Sequence, residues 1–99
     1  MFFSAHFYAD QELSGRVNRI QNGLIQKKPQ KEVYVLFVKN GHLQAISSLV
    51  LLQKSYPDDF TAVGLACNKR SALRLIETIT SEMYEELKQI DYNQFFEIV

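Results

Sequence analysis

The chain has 99 residues, 46% of them hydrophobic and 22% charged, which is typical of one globular domain with a single core. Its 11 basic and 11 acidic residues balance, so net charge gives no general attraction to nucleic acid or membranes. A single cysteine excludes an intrachain disulfide, and one cysteine with two histidines is too few for a four-ligand zinc site. We therefore predict one domain over residues 1–99, with no metal site.

The amino-terminal segment MFFSAHFYAD lacks the basic and sustained apolar regions of a secretory signal. The longest apolar runs, VYVLFV and LVLL, are far shorter than the roughly 20 residues of a membrane-spanning helix. No Walker loop, dinucleotide fingerprint or nucleophile elbow occurs. We expect a cytoplasmic protein with no membrane partner and no cofactor.

The first elements along the chain are a short strand and a helix. Apolar and polar residues alternate from Phe3 to Tyr8, which indicates a strand. Apolar residues then recur at helical spacing from Leu13 to Leu24. This pattern predicts an amphipathic helix over about 10–22, with Asp10 as its N-cap and Gly23 in the left-handed position that ends it.

A β-hairpin over 33–47 is the strongest local signal. Two β-rich stretches, 33–39 and 42–47, flank Asn40-Gly41, a pair that favours a two-residue type I′ turn. The first stretch is apolar on both sides, which predicts a central strand. For residues 48–56, helix and strand both fit the apolar pattern, and we favour a helix that stops before Pro57. Residues 60–67, FTAVGLAC, predict a further strand.

A long amphipathic helix is predicted over about 69–90. Its buried face would be the apolar series at three- and four-residue spacing, which consists of Leu73, Ile76, Thr80, Met83, Leu87 and Ile90. The tail DYNQFFEIV fits either a capped turn or a strand. The fold class is therefore α+β, with a small, mainly antiparallel sheet packed by two amphipathic helices.

The start of this last helix is a candidate ligand site. Basic residues stand in its first turns and acidic residues in its later turns, the reverse of the order that the helix dipole favours. Free N–H groups at a strand-to-helix turn can hold a phosphate or carboxylate. The candidate anion-binding residues are Asn68, Lys69, Arg70 and Ser71. The alternative is that no ligand binds here and that these cations are solvated or paired with acids elsewhere.

Charge is also segregated along the chain. The segment 16–31 contains no acid, and its basic residues are candidates for nucleic-acid binding. These residues are Arg16, Arg19, Lys27, Lys28 and Lys31. Residues 75–99 instead carry six acids against Lys88. The alternative is that the two segments neutralise each other, within one chain or between chains.

Aromatic residues are concentrated at both ends of the chain, where they either complete the core or form an interface. The candidate interface residues are Phe2, Phe3, Phe7, Tyr8, Tyr92, Phe95 and Phe96. A catalytic thiol would have to pair Cys67 with His6 or His42, but a lone cysteine is more often a small core residue. No catalytic residue is therefore assigned.

The order hairpin, helix, strand and helix, with NGHLQAISS across the turn, loosely resembles the core of GIY-YIG nucleases. The resemblance covers residues 33–80 and would place Tyr34, Lys54 and Glu77 near three of that family's site positions. Gln44, Ala45 and Ile46 occupy the span where the family has its second tyrosine and glycine. The resemblance therefore implies at most a degenerate, inactive nuclease core.

Taken together, these features predict a non-catalytic protein-interaction or regulatory module that associates with itself or with another protein. The alternative is a nucleic-acid-binding protein that uses the 16–31 segment with Lys69 and Arg70.

Overall fold

The computed structural model describes residues 2–28, 33–53 and 61–98. The elements in chain order are β1 (Phe2–Ala9), a 3₁₀ helix (Gln11–Arg16), α1 (Val17–Ile25), β2 (Tyr34–Lys39), β3 (His42–Ser47), α2 (Ser48–Gln53), β4 (Thr61–Ala66), α3 (Lys69–Leu87) and α4 (Tyr92–Phe95). The predicted helix after the hairpin is thus present, and its expected stop at Pro57 lies outside the described residues. None of the helices in these ranges combines the length and apolarity that a bilayer span requires.

The four strands form one mixed sheet in the order β1-β4-β2-β3. β2 runs antiparallel to β3 and β4, whereas β1 runs parallel to β4. The α+β class is confirmed, and the sheet is mixed, with two antiparallel pairings and one parallel pairing that the sequence did not predict. Parallel partners lie far apart in the sequence and no turn residue marks their pairing, so local patterns carry little information about it.

The hairpin follows the predicted register. Lys39 pairs with His42, and the two turn residues between them, Asn40 and Gly41, both have positive φ, 54° and 78°. This is the backbone conformation that a type I′ turn requires, and Asn and Gly adopt it most readily.

β2 is a central strand, as predicted: it lies between β4 and β3, and its side chains are covered on both faces of the sheet. On one side, Val35 and Phe37 pack in a cluster with Ile20 and Leu24 of α1. On the other side, Leu36 and Val38 pack with residues of α3 and with the aromatic tail, namely Ile79, Met83, Phe95 and Phe96. The helices α1 and α3 therefore form separate layers on opposite faces of the sheet.

The first helical segment differs from the prediction of one helix over 10–22. A 3₁₀ turn comes first, and α1 continues to Ile25. Gly23 is buried inside α1, and Lys27 has the left-handed φ of 58° instead. Asp10 lies at the N-cap position of the 3₁₀ helix, but its side chain does not cap that helix.

The helix α3 begins as predicted and ends three residues early, because Lys88 is left-handed and closes it with a 2.8 Å bond from its N–H to the Tyr84 carbonyl. Leu73 and Ile90, both predicted to be buried, are 53% and 57% exposed. The predicted series has a mean spacing shorter than the roughly 3.6 residues per turn of a helix, so it drifts around the axis. The fully buried residues are Ala72, Ile79 and Met83.

The carboxyl-terminal tail forms a capped helical turn, one of its two predicted structures. The Asp91 carboxylate accepts a 3.0 Å hydrogen bond from the Gln94 N–H at the start of α4. This turn brings Phe95 and Phe96 into the core beside Met83.

β1 is strongly bulged against β4. Phe3 pairs with Ala62 and Tyr8 with Gly64, so five residue steps of β1 face two steps of β4. A Cβ on Gly64 would lie 3.1 Å from the Tyr8 carbonyl oxygen, which explains why glycine is needed where β1 returns to the sheet. The Tyr8 hydroxyl then donates a hydrogen bond to Glu82, which links β1 to α3.

Candidate functional site

A polar cluster lies where β1 and β4 end. Because the two strands are parallel, the residues that follow them, Asp10 and Cys67, meet at the same edge of the sheet, where ligands often bind in open α/β sheets. The Asp10 N–H donates to the Leu65 carbonyl over 2.9 Å. Asn68 and Ser71, at the start of α3, complete the cluster.

The Cys67 thiol donates to the Asp10 carboxylate, with Sγ and Oδ2 2.8 Å apart. This bond is the largest cause of two opposite shifts: it raises the pKa of Cys67 and lowers the pKa of Asp10. The thiol is therefore protonated and the carboxylate ionised at neutral pH. A protonated thiol is a poor nucleophile, so this geometry does not activate Cys67 for catalysis.

The histidines considered as partners of Cys67 lie elsewhere. The His6 ring packs against the rings of Tyr8 and Phe95, at centroid distances of 4.9 and 5.1 Å. His42 is on β3, at the sheet edge opposite to β1. The sequence reading missed the Asp10–Cys67 contact, since the two residues are 57 positions apart and no local motif links them.

The predicted anion-binding residues are brought together, but their donors are partly occupied. Ser71 N–H donates to the Asn68 side chain over 2.8 Å, and Cys67 N–H faces the Asp10 carboxylate at 3.4 Å. Lys69 and Arg70 are exposed. A bound anion would have to compete with the ionised Asp10, so anion binding stays a prediction that this arrangement does not favour.

The predicted nucleic-acid-binding residues occupy the layer of α1. Arg16, Arg19, Lys27 and Lys28 are exposed on or after the 3₁₀ helix and α1, and Lys31 lies outside the described residues. The exposed acids of α3 lie in the layer on the other face of the sheet. The two charged segments are thus separated by the sheet, which argues against mutual neutralisation within one chain.

The aromatic ends divide between core and surface. Phe95 and Phe96 are buried. Tyr92 is half-buried, and its hydroxyl oxygen lies 3.1 Å from the Thr80 hydroxyl oxygen. Phe3 and Phe7 pack edge to face at 6.0 Å, Tyr8 is half-buried, and Phe2 is 63% exposed.

A groove of about 730 Å³ lies between β1 and the tail, and we call it the β1 groove. The aromatic, imidazole and carboxylate side chains that line it include Phe2, His6, Glu86, Phe95, Phe96 and Glu97. Two carboxylates and no lysine or arginine line it within the described part of the chain. Most of the predicted interface residues at the two chain ends thus meet here.

The side of α3 that points away from the sheet is the second notable surface, which we call the α3 outer face. It is defined by Leu73, Arg74, Glu77, Thr78, Ser81, Tyr84 and Glu85, all exposed. Leu73 and Tyr84 are large apolar side chains that are 53% and 56% exposed. Within the described ranges, Arg74 forms no ion pair with a carboxylate of its own chain.

The residues linked to the nuclease resemblance are not gathered around a described site. Tyr34 is half-buried against the core under α3, Glu77 is exposed on α3, and Lys54 lies outside the described residues. Among the described residues, no group of three or more histidine, cysteine or acidic side chains is arranged to hold a metal ion.

Comparisons of the chain with protein-family models, with curated proteins and with solved structures gave no match. Function therefore has to be inferred from the two surfaces and the polar cluster described above.

Proposed function

We propose that the protein is a non-catalytic interaction module that forms a homodimer through the α3 outer face. The observation that carries the proposal is the exposure of Leu73 and Tyr84 on a helix whose basic end and acidic end are complementary to each other. Large apolar side chains that share one exposed helix face can mark a protein contact.

The spacing of these residues suits an antiparallel helix pair. Leu73 and Tyr84 are eleven positions apart, which is about three helical turns, or roughly 16 Å, with an angular offset of about 20°. Arg74 and Glu85 repeat the same spacing on the adjacent line. In a pair related by a two-fold axis, Leu73 of one copy lies opposite Tyr84 of the other, and Arg74 lies opposite Glu85.

The centre of this arrangement lies near Glu77, Thr78 and Ser81, which are exposed. Thr78 and Ser81 have short side chains and the long Glu77 side chain can bend away towards solvent, so the two helices can approach to the roughly 8–10 Å axial distance of packed helices. A two-fold contact of this kind uses the same surface on both copies and closes at the dimer.

The proposed dimer would explain why the charge order of α3 is the reverse of the one that the helix dipole favours. Basic residues near a helix N-terminus and acidic residues in later turns cost about 0.3–1 kcal/mol each in an isolated helix. In an antiparallel pair, the basic half of each helix lies along the acidic half of its partner. The complementary charges also fix the register of the pair and accelerate its formation.

One helix face provides a small interface, below the roughly 1,200 Å² total that stable complexes bury. We therefore expect a weak, concentration-dependent dimer. Sedimentation equilibrium should give 11.5 kDa for the chain at low concentration and a mass approaching twice that value at high concentration. Leu73→Gln should shift this transition to higher concentration, whereas a monomer at every concentration would refute the proposal.

Nucleic-acid binding remains a second proposal, supported by the exposure of Arg16, Arg19, Lys69 and Arg70. Contacts to phosphates release counterions, so the affinity for a short RNA or DNA would fall steeply as salt rises. Lys69→Ala with Arg70→Ala should weaken such binding. Absence of binding at low salt would exclude this function.

A further inference from the structure

We propose that the β1 groove binds an extended, basic peptide segment of a partner protein, which adds a strand to the outer edge of β1. The site is separate from the α3 outer face and does not depend on the homodimer. Three features of the described residues support it: an outermost strand without charged residues or proline, a bulge beside the groove, and a concentration of carboxylate and aromatic groups.

β1 is an outermost strand of the sheet, so one side of its backbone faces away from β4. Its sequence, FFSAHFYA, contains no lysine, arginine, aspartate, glutamate or proline. Sheet edges are normally protected by such residues or by bulges, because an unpaired strand readily pairs with another chain; β1 has a bulge but none of these residues. An eight-residue edge strand without charged residues or proline is a suitable template for strand addition.

The bulge shapes the groove beside this edge. Phe3 and Tyr8 are in register with β4, while the residues between them, 4–7, have no paired residue on β4. The stretch is held at its far end by the hydrogen bond from Tyr8 to Glu82. Within residues 4–7, the His6 N–H donates a hydrogen bond to the Ser4 hydroxyl oxygen over 3.2 Å. Residues 2–6 of β1 form one wall of the groove.

The chemistry of the groove selects for a cation. Glu86 and Glu97 are exposed carboxylates on its rim, and Phe2, Phe95 and Phe96 supply ring faces. A lysine or arginine side chain can pair with the carboxylates and lie against a ring, and both contacts strengthen as water is displaced. A volume of about 730 Å³ is large enough to receive such side chains.

The same features argue for a peptide of a different protein. Nucleic acid would be repelled by Glu86 and Glu97. The β1 strand of a second copy contains no lysine or arginine, so it cannot supply a permanent cation. A strand that alternates a basic residue with a β-branched residue would present its cations to the groove and its backbone to β1.

The test uses a labelled peptide of about eight residues, matched to the length of β1, that alternates arginine and valine and has blocked ends. Fluorescence anisotropy is measured with the full chain at concentrations where sedimentation shows the monomer, so a failure of the homodimer proposal leaves the result interpretable. We expect saturable binding, and a loss of about tenfold or more when Glu86→Gln and Glu97→Gln are combined.

Two controls separate this site from general charge attraction. Glu77→Gln with Glu85→Gln removes the same charge from the outward side of α3, and it should leave the affinity nearly unchanged. A peptide with alternate backbone N–H groups methylated should bind much more weakly, because strand addition needs those donors. The proposal is overturned if both double variants weaken binding equally, if the methylated peptide binds as well, or if a glutamate-valine peptide binds as tightly.

Discussion

The thiol of Cys67 and the carboxylate of Asp10 share a hydrogen bond of 2.8 Å that joins the ends of two parallel strands. The bond fixes the start of α3 relative to β1, because Cys67 immediately precedes the helix cap Asn68. The bond therefore links the carboxyl ends of β1 and β4. Its effects on the two pKa values and on stability can be measured.

The first prediction concerns the reactivity of the thiol. Asp10→Asn removes the carboxylate that most strongly raises the pKa of Cys67, so the pKa should fall and alkylation by iodoacetamide at mildly alkaline pH should accelerate. Glu12→Gln is the matched control, since Glu12 is the smallest of the contributions that raise this pKa. An identical pH profile in the unmodified chain and Asp10→Asn would contradict the assigned bond.

The same bond predicts how stability depends on pH. The folded-state pKa of Asp10 lies below its ordinary 3.8, so the ionised carboxylate stabilises the fold above that value and the effect is lost as pH falls through the folded-state pKa. The folded-state pKa of Cys67 lies above its ordinary 9.0, so the protonated thiol stabilises the fold below 9.0 and the effect is lost as pH rises through the folded-state pKa.

We therefore expect Asp10→Asn to lower the free energy of unfolding by about 1 kcal/mol between about pH 5 and pH 8, the modest value suited to a partly exposed charged hydrogen bond. The difference should shrink in strong acid and in strong alkali. Urea unfolding at a series of pH values provides the measurement. A difference that is constant across the range would mean that ionisation of this pair does not contribute to stability.

The third prediction concerns the close approach of β1 and β4. Gly64→Ala would place a Cβ 3.1 Å from the Tyr8 carbonyl oxygen, a backbone atom that cannot move without shifting β1. We expect a loss of about 1–3 kcal/mol in the free energy of unfolding. Gly15→Ala, with no atom within 4 Å of the new Cβ, should have no such effect. If the two variants are equally stable, β1 does not approach β4 closely at Gly64.

The fourth prediction follows from the centre of the proposed dimer. In the proposed dimer, Glu77 lies close to the two-fold axis, where it would approach the same residue of the second copy. Glu77→Gln should therefore tighten the dimer by a factor of about 2–5, which corresponds to an exposed like-charge contact of up to about 1 kcal/mol. Glu97→Gln, outside α3, should have little effect in sedimentation equilibrium. Weaker association of Glu77→Gln would exclude this register.

Local signals in the sequence predicted several elements correctly. Asn40-Gly41 fixed the hairpin turn because few other residues accept two consecutive positive φ values, and Asn68 caps the helix that was expected to follow β4. The Asp91 cap was one of two structures that the tail sequence allowed. In each case the determining contact lies within about four residues along the chain.

Contacts between distant parts of the chain were not predictable in the same way. The parallel pairing of β1 with β4 and the Asp10–Cys67 bond depend on topology, and no residue pattern encodes them locally. The exposure of Leu73 depends on the rotation of α3 about its axis, which a drifting apolar series cannot define. The β1 groove combines residues from both ends of the chain and was visible beforehand merely as an excess of aromatic residues.

The most direct test of the homodimer exchanges the charges at two positions of the α3 outer face. Arg74→Glu and Glu85→Arg are made in separate chains, and each chain is analysed alone and in an equimolar mixture by sedimentation equilibrium. In the proposed dimer, each variant alone brings like charges together at positions 74 and 85, whereas the mixture restores opposite charges at both contacts. We predict that each variant alone is monomeric at concentrations where the unmodified chain dimerises, and that the mixture forms a heterodimer. A mixture that remains monomeric while the unmodified chain dimerises, or variants that each dimerise like the unmodified chain, would contradict the account.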